Sequence, residues 1–318
     1  MTWDLVDAKV DLYGSLSFVP DIDYWLDPNN TYRVVFVQSQ ASWFVVTGSD
    51  FEIDAHNLGG IQGNGQPWWE YFSSHTKADG DGRPISLTVY RAERGVVRNF
   101  AIQAQPFWCN CVAESRDIVY DGMRCNASNT NPSFAGKNIV PNTDGINTYR
   151  SDNVSLLHWD VTCGDDCLAI KGVYFKSWDG SINGVPPTGG GGGTGQVRNV
   201  VARNINLVGV NLPIHLYQTN GGHSLDLKST LSFGGLRFEN WTGTALANKR
   251  ERFIFVAVVT ANEVRLATVV DIECAVDCND VEFFSFEIKP PAGQAPRYIC
   301  QNVTQLVFDM PCNATGLA

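Results

Sequence analysis

Positive charge is scarce in this chain of 318 residues, with 23 Lys and Arg set against 33 Asp and Glu for a formal net charge of −10. Nucleic acids and anionic membrane surfaces are polyanions, so this balance argues against both as partners. Long apolar runs are missing as well. Phe253-Ile254-Phe255-Val256-Ala257-Val258-Val259 is only seven residues, where a membrane span needs about 20. The first residues, Met1-Thr2-Trp3-Asp4-Leu5, lack the basic start and continuous apolar stretch of a secretory leader and already read as strand, so we expect the natural N-terminus to lie upstream. Methionine is rare at three residues, while 30 glycines and frequent Asn, Val, Ile and Thr favour short strands joined by turns over helices. The five consecutive glycines within Pro186 to Gly195 are not followed by Gly-Lys-Ser/Thr, which excludes a phosphate-binding loop and leaves a surface loop.

What is present agrees with one secreted domain. At 44% hydrophobic and 18% charged residues the chain can bury a large core, and residues 1–318 suit a single β-solenoid better than two ordinary domains. Nine cysteines and glycosylation sequons at Asn29, Asn126, Asn153, Asn240, Asn302 and Asn313 point to an oxidising, extracellular setting. Cys274/Cys278, Cys300/Cys312 and Cys111/Cys125 are candidate disulfides, although spacing alone does not fix connectivity. The cysteines lack the accompanying histidine spacing of a zinc site, so no metal or other cofactor is expected. Strand-like units recur at Val97–Ile102, Ile118–Tyr120, Val154–Leu157, Val197–Val201 and Ser232–Trp241. The first two begin 21 residues apart (118 − 97), close to one turn of a parallel β-helix.

The same interval separates two acidic motifs. Asn142-Thr143-Asp144-Gly145 and Gly164-Asp165-Asp166-Cys167 place Asp144 and Asp165 21 residues apart (165 − 144). One coil of a solenoid would set them side by side, since neighbouring strands are about 4.8 Å apart. Crowded carboxylates raise one another's pKa, so one can stay protonated as a general acid while the others remain ionised to activate water. An Asp-rich surface turn or a weak calcium site would also contain such a string. In a regular strand Asp165 and Asp166 point to opposite faces, and Gly164 could supply the irregularity that lets both reach one cleft.

Together with Gly60-Ile61-Gln62-Gly63-Asn64-Gly65-Gln66-Pro67-Trp68-Trp69, these strings resemble glycoside hydrolase family 28, the polygalacturonases and rhamnogalacturonan hydrolases. The resemblance implies an all-β, right-handed parallel β-helix and hydrolysis with inversion. Carried over by position, Asp165 is the general acid, and Asp144 and Asp166 hold and deprotonate the attacking water, with Asn142 at the substrate. Val173-Tyr174-Phe175-Lys176 resembles the Arg-Ile-Lys motif of that family, giving Lys176 the substrate carboxylate to grip. Tyr174 replaces the arginine, and tyrosine cannot copy a bidentate guanidinium fork. This favours an exo-acting or rhamnogalacturonan-type enzyme over a plain galacturonan endo-hydrolase. The implied partner is a pectic polysaccharide met by a monomer, and −10 on the enzyme favours an optimum at about pH 4 to 5, near the reference carboxylate values. A calcium-dependent pectate lyase would share fold and polymer, but the Asn-Thr-Asp and Gly-Asp-Asp strings favour hydrolysis.

The third motif of the family, Gly-His-Gly or a Gly-Asn-Gly variant, does not occur between the Asp pair and the lysine motif. Only ten residues separate Asp166 from Lys176, so about two coils are expected to be missing at the Gly172-Val173 junction. A gene-model or splicing deletion accounts for this, and a non-catalytic pectin-binding product then stays open. In the family the cysteine after the Asp pair finds its partner in the missing region, which leaves Cys167 as an odd thiol or as a partner for Cys163. The stretch 249–267 matches nothing in the family and reads as an atypical insert. Of the histidines, His215 in Pro213-Ile214-His215-Leu216-Tyr217-Gln218 is the candidate for substrate contact, sharing one strand face with Tyr217 and Thr219 while Gln218 faces away. Trp68-Trp69 and Phe107-Trp108 could stack on sugars, but large aromatics in a solenoid more often fill the core.

Overall fold

The computed structural model describes residues 1–34, 40–75, 82–164, 174–176, 195–218, 229–246, 268–292 and 294–308. These fall into two units, one reaching to Gly164 and one running from Tyr174 onward.

In the first unit, strands Thr2–Asp11, Val45–Asp54, Leu87–Arg98, Arg116–Asp121 and Asp152–Leu157 stack in that order in one sheet. Ser15–Ser17, Gly60–Gln62, Ala101–Gln103, Arg124–Asn126 and Asp160–Thr162 form a second sheet in the same sequence. Every pairing in both sheets is parallel. Each coil thus contributes one strand to each sheet, the arrangement of a parallel β-helix, and a parallel crossover of this kind is right-handed. Ile118 lies over Gly95 and Tyr120 over Val97, so this coil spans 23 residues (118 − 95) rather than 21. Counting from the start of one strand to the start of the next misses the offset between them.

The corner between the two sheets needs left-handed backbone, which Asn and Gly tolerate best. Asn99 (φ 54°) and Gly122 (φ 70°) occupy it in successive coils. The Asn99 amide donates to Asp121 O at 2.7 Å, and that of Gly122 to Leu157 O at 2.9 Å. The interior is filled by large side chains. Phe18 and Trp43 stack at 4.5 Å, and Trp43 meets Trp68 edge-on at 6.1 Å. Trp68 and Trp69 sit on the helix Gln66–Phe72 and are buried, so they pack the core and offer no face to a sugar.

The loop that follows Asn126 is pinned to this helix. Glu70 Oε1 accepts from Asn131 Nδ2 and Gln66 Nε2, both at 2.8 Å, and Thr130 N donates to Gln66 Oε1 at 2.9 Å. Those hydrogen bonds hold the Glu70 carboxyl below its ordinary range. A depressed value means the anchor is intact above the ordinary glutamate pKa and is lost only as pH falls through the lowered one.

The second unit is one sheet in the order Tyr174–Lys176, Ile214–Tyr217, Thr268–Lys289, Ser232–Ala245, Gln196–Val210, with Arg297–Phe308 also on Thr268–Lys289. Its pairings are parallel throughout. Leu216, Leu236, Phe238, Trp241 and Phe283 pack beneath it, and the buried Trp241 indole donates to Ala202 O at 2.9 Å. The stretch 249–267 lies outside the described residues.

Cys274 and Cys278 form the expected disulfide. The pairing of Cys125 differs from expectation: its partner is Cys109, with Cα atoms 6.2 Å apart, and Cys111 is a buried free thiol. Cys109 and Cys125 both belong to the main interior cluster, whereas Cys111 packs with Ile85, Phe107 and Ala113 in a separate one. Burial pushes the Cys111 thiol up to about 12. Cys163 and Cys300 are disulfide-bonded too, while Cys167 and Cys312 lie outside the described residues.

Candidate active site

The turn carrying Asn142-Thr143-Asp144 is laced on both sides by side chains that the sequence alone does not single out. On the preceding coil, Gln105 Nε2 donates to Thr143 O at 3.3 Å, Cys109 N to Asp144 O at 2.7 Å, and Asn110 N to Gly145 O at 3.1 Å. Within the turn, Thr143 Oγ1 donates to Val140 O at 2.8 Å, and Asn147 Nδ2 donates to Asp144 Oδ2 at 3.0 Å. Asp144 is only 5% exposed, so its carboxylate is held in the turn with a fixed orientation. Asn142 takes left-handed backbone at φ 57°, a conformation its short polar side chain tolerates.

The next coil closes onto this turn through Gly164, whose amide donates to Thr143 Oγ1 at 3.0 Å. Asn138 Nδ2 in turn donates to Gly164 O at 2.8 Å. The residue before Asp165 therefore touches the residue before Asp144, and the interval of 21 residues does bring the two motifs together. Asp165 and Asp166 themselves lie outside the described residues.

Gly164 is glycine because of the tightness of this approach. A Cβ there would stand 2.3 Å from Val140 O and 2.7 Å from Asn138 Oδ1. Gly164→Ala is expected to cost about 1–3 kcal/mol in stability, the usual range for overpacking. It should also move the Gly164 amide away from Thr143 Oγ1. Thermal melting and kcat measured together should both fall, and unchanged values would mean that the two motifs do not depend on this contact.

The other expected site residues fall in the second unit, where Tyr174 pairs with His215 and Lys176 with Tyr217. The same rows continue to Asp271 and Glu273 on the next strand. The His215 and Tyr217 rings meet edge-on at 3.8 Å, and Tyr217 OH donates to Asp271 Oδ2 at 3.3 Å. Gln218 is buried and faces the opposite way, donating to Leu231 O and accepting from Ala275 N, while Thr219 is outside the described residues. Asp271, which is 2% exposed, was not foreseen. The available signal was the alternation in Val270-Asp271-Ile272-Glu273, which puts both acids on the face opposite the core.

Comparison with known proteins agrees with these motifs. The family model for "Glycosyl hydrolases family 28" matches residues 6–177. A protein from Aspergillus niger named "Putative galacturan 1,4-alpha-galacturonidase A" is 32% identical, over 99% of this chain and 83% of its own length. The chain belongs to glycosyl hydrolase family 28. It is therefore a glycoside hydrolase, and both the Asn-Thr-Asp and Gly-Asp-Asp strings lie within the matched residues. Another relative, "Alpha-L-rhamnosidase rgxB" of Aspergillus niger, is 26% identical over 95% of this chain and 77% of its own length. Among solved structures, the endo-xylogalacturonan hydrolase of Aspergillus tubingensis superposes with a TM-score of 0.62 at 16% identity, covering 99% of this chain and 90% of that one. The likeness establishes the right-handed parallel β-helix as the fold of this family 28 chain.

The alignment to the first relative extends over 378 residues, against the 318 of this chain. That relative therefore carries segments that this chain lacks.

Proposed function

We propose that this family 28 chain is an extracellular, monomeric pectin hydrolase that cleaves α-1,4-galacturonosyl bonds with inversion, releasing sugar from the chain end. The observation that carries this reading is the Gly164 to Thr143 hydrogen bond, which joins the two acidic motifs. On this reading Asp165 donates a proton to the departing oxygen, while Asp144 and Asp166 orient and deprotonate water on the opposite side of the sugar, as inversion requires. Asn142, Lys176, Tyr174 and His215 are assigned to the substrate. Attack at the chain end is supported by Tyr174 in place of arginine and by the galacturonidase name of the relative that is 32% identical. A rhamnogalacturonan hydrolase is the second reading, favoured by the same substitution and by the rhamnosidase relative.

The longer alignment supports loss of an internal segment, which we assign to the Gly172-Val173 junction. Extra in-frame coding sequence between these codons in the transcript would bear this out, and an uninterrupted message would reject it. Product sizing after digestion of polygalacturonic acid and rhamnogalacturonan tests the activity. Monomeric galacturonic acid from the earliest times, with an optimum at about pH 4 to 5, is expected. An early ladder of oligomers would replace exo with endo attack, ultraviolet-absorbing products would indicate a lyase, and activity rising steadily to pH 8 would contradict the pH expectation.

A further inference from the structure

Arg83 is a charged side chain placed almost entirely inside the first unit, at 2% exposure. Its guanidinium lies over the Phe72 ring at 5.3 Å and over the Phe107 ring at 4.9 Å. Nη1 donates to Pro106 O and to Pro141 O, each at 3.0 Å, and Nη2 donates to Asn142 Oδ1 at 3.3 Å. Burying such a group is costly, so three directed hydrogen bonds and two aromatic faces around one guanidinium mark a position where geometry is being fixed. The acceptors are informative. Pro106 belongs to the coil that supports the turn through Gln105 and Cys109, whereas Pro141 and Asn142 open the turn that carries Asp144.

We propose that Arg83 is a positioning residue for the glycosidic cleavage, clamping the start of the Asn142–Asp144 turn to the coil beneath it and so fixing where the Asp144 carboxylate points. This rests on the reading of Asp144 as part of the water-activating pair. The planar fork of Arg83 reaches three acceptors on two coils at once, which a single ammonium cannot reproduce. A displacement of about 1 Å in a reacting group can cost about 100-fold in rate, so the clamp should register chiefly in turnover, with a smaller change in substrate affinity through Asn142.

The test uses the full chain with Arg83→Lys and Arg83→Met, alone and combined with Asp144→Asn, assayed on polygalacturonic acid. Folded Arg83→Met is expected to lose about 100-fold in kcat with KM within about threefold of the parent, Arg83→Lys is expected to fall in between, and the clamp and Asp144 variants should not be additive. Lys fills much of the same volume and serves if the methionine variant does not fold. Unchanged kcat in a folded variant, or a fall in melting temperature alone, would overturn the proposal while leaving the catalytic reading standing. A parent chain inactive on every pectic polymer would remove that reading and the proposal with it.

Discussion

Asp144→Asn is expected to lower kcat by about 10²- to 10⁴-fold, the range for losing a positioned proton-transfer group, with little effect on folding. Asparagine has nearly the same shape and keeps an oxygen to accept the Asn147 Nδ2 hydrogen bond now made at 3.0 Å. The backbone contacts that hold the turn, Cys109 N to Asp144 O at 2.7 Å and Gly164 N to Thr143 Oγ1 at 3.0 Å, do not involve the carboxylate. What disappears is the base alone. Retained turnover in a well-folded Asp144→Asn protein would remove Asp144 from the chemistry.

The largest stability effect is expected at Trp69. Its side chain is 1% exposed, and its indole donates to Gln105 O at 3.2 Å. Gln105 in turn donates to Thr143 O at 3.3 Å. Trp69→Ala opens a large cavity, for which about 3–5 kcal/mol is usual, equivalent to a fall in melting temperature on the order of 10 °C for a chain of this size. Trp69→Phe keeps much of the volume and loses the hydrogen bond, worth about 1 kcal/mol. The alanine variant should also lose activity faster than its melting temperature predicts, because the Gln105 brace to Thr143 loosens with it. A Trp69→Ala protein that melts with the parent would show that this side chain is not part of the core as described.

How far the sequence reveals this molecule depends on the range of the interaction concerned. Short strands separated by Asn and Gly announce a solenoid, and the interval of 21 residues correctly anticipates that Thr143 and Gly164 are neighbours. The coil at Gly95 and Ile118 is longer than that interval, because stacking partners need not be equivalent positions in their strands. Cys109 and Cys111 stand two residues apart in the same apolar stretch, and only the bend into the strand Asn110–Ala113 decides which faces Cys125. Arg83, Gln105 and Asn147 leave almost no trace in the sequence. Arg83 and Gln105 act on backbone carbonyls from 58 and 38 residues away, and backbone acceptors carry no residue signature. Asn147 is three residues from Asp144, but nothing in Asp-Gly-Ile-Asn alone says that its amide turns back.

Reducing-end release from polygalacturonic acid and rhamnogalacturonan at about pH 4.5, chosen for reference carboxylate values of about 3.9 to 4.3, tests the central claim most directly when the parent chain and Asp165→Asn are run side by side. Release by the parent that is lost in the variant is the expected result, and it would mean that three carboxylates carry the reaction without the third motif. No release from a well-folded parent would contradict the claim.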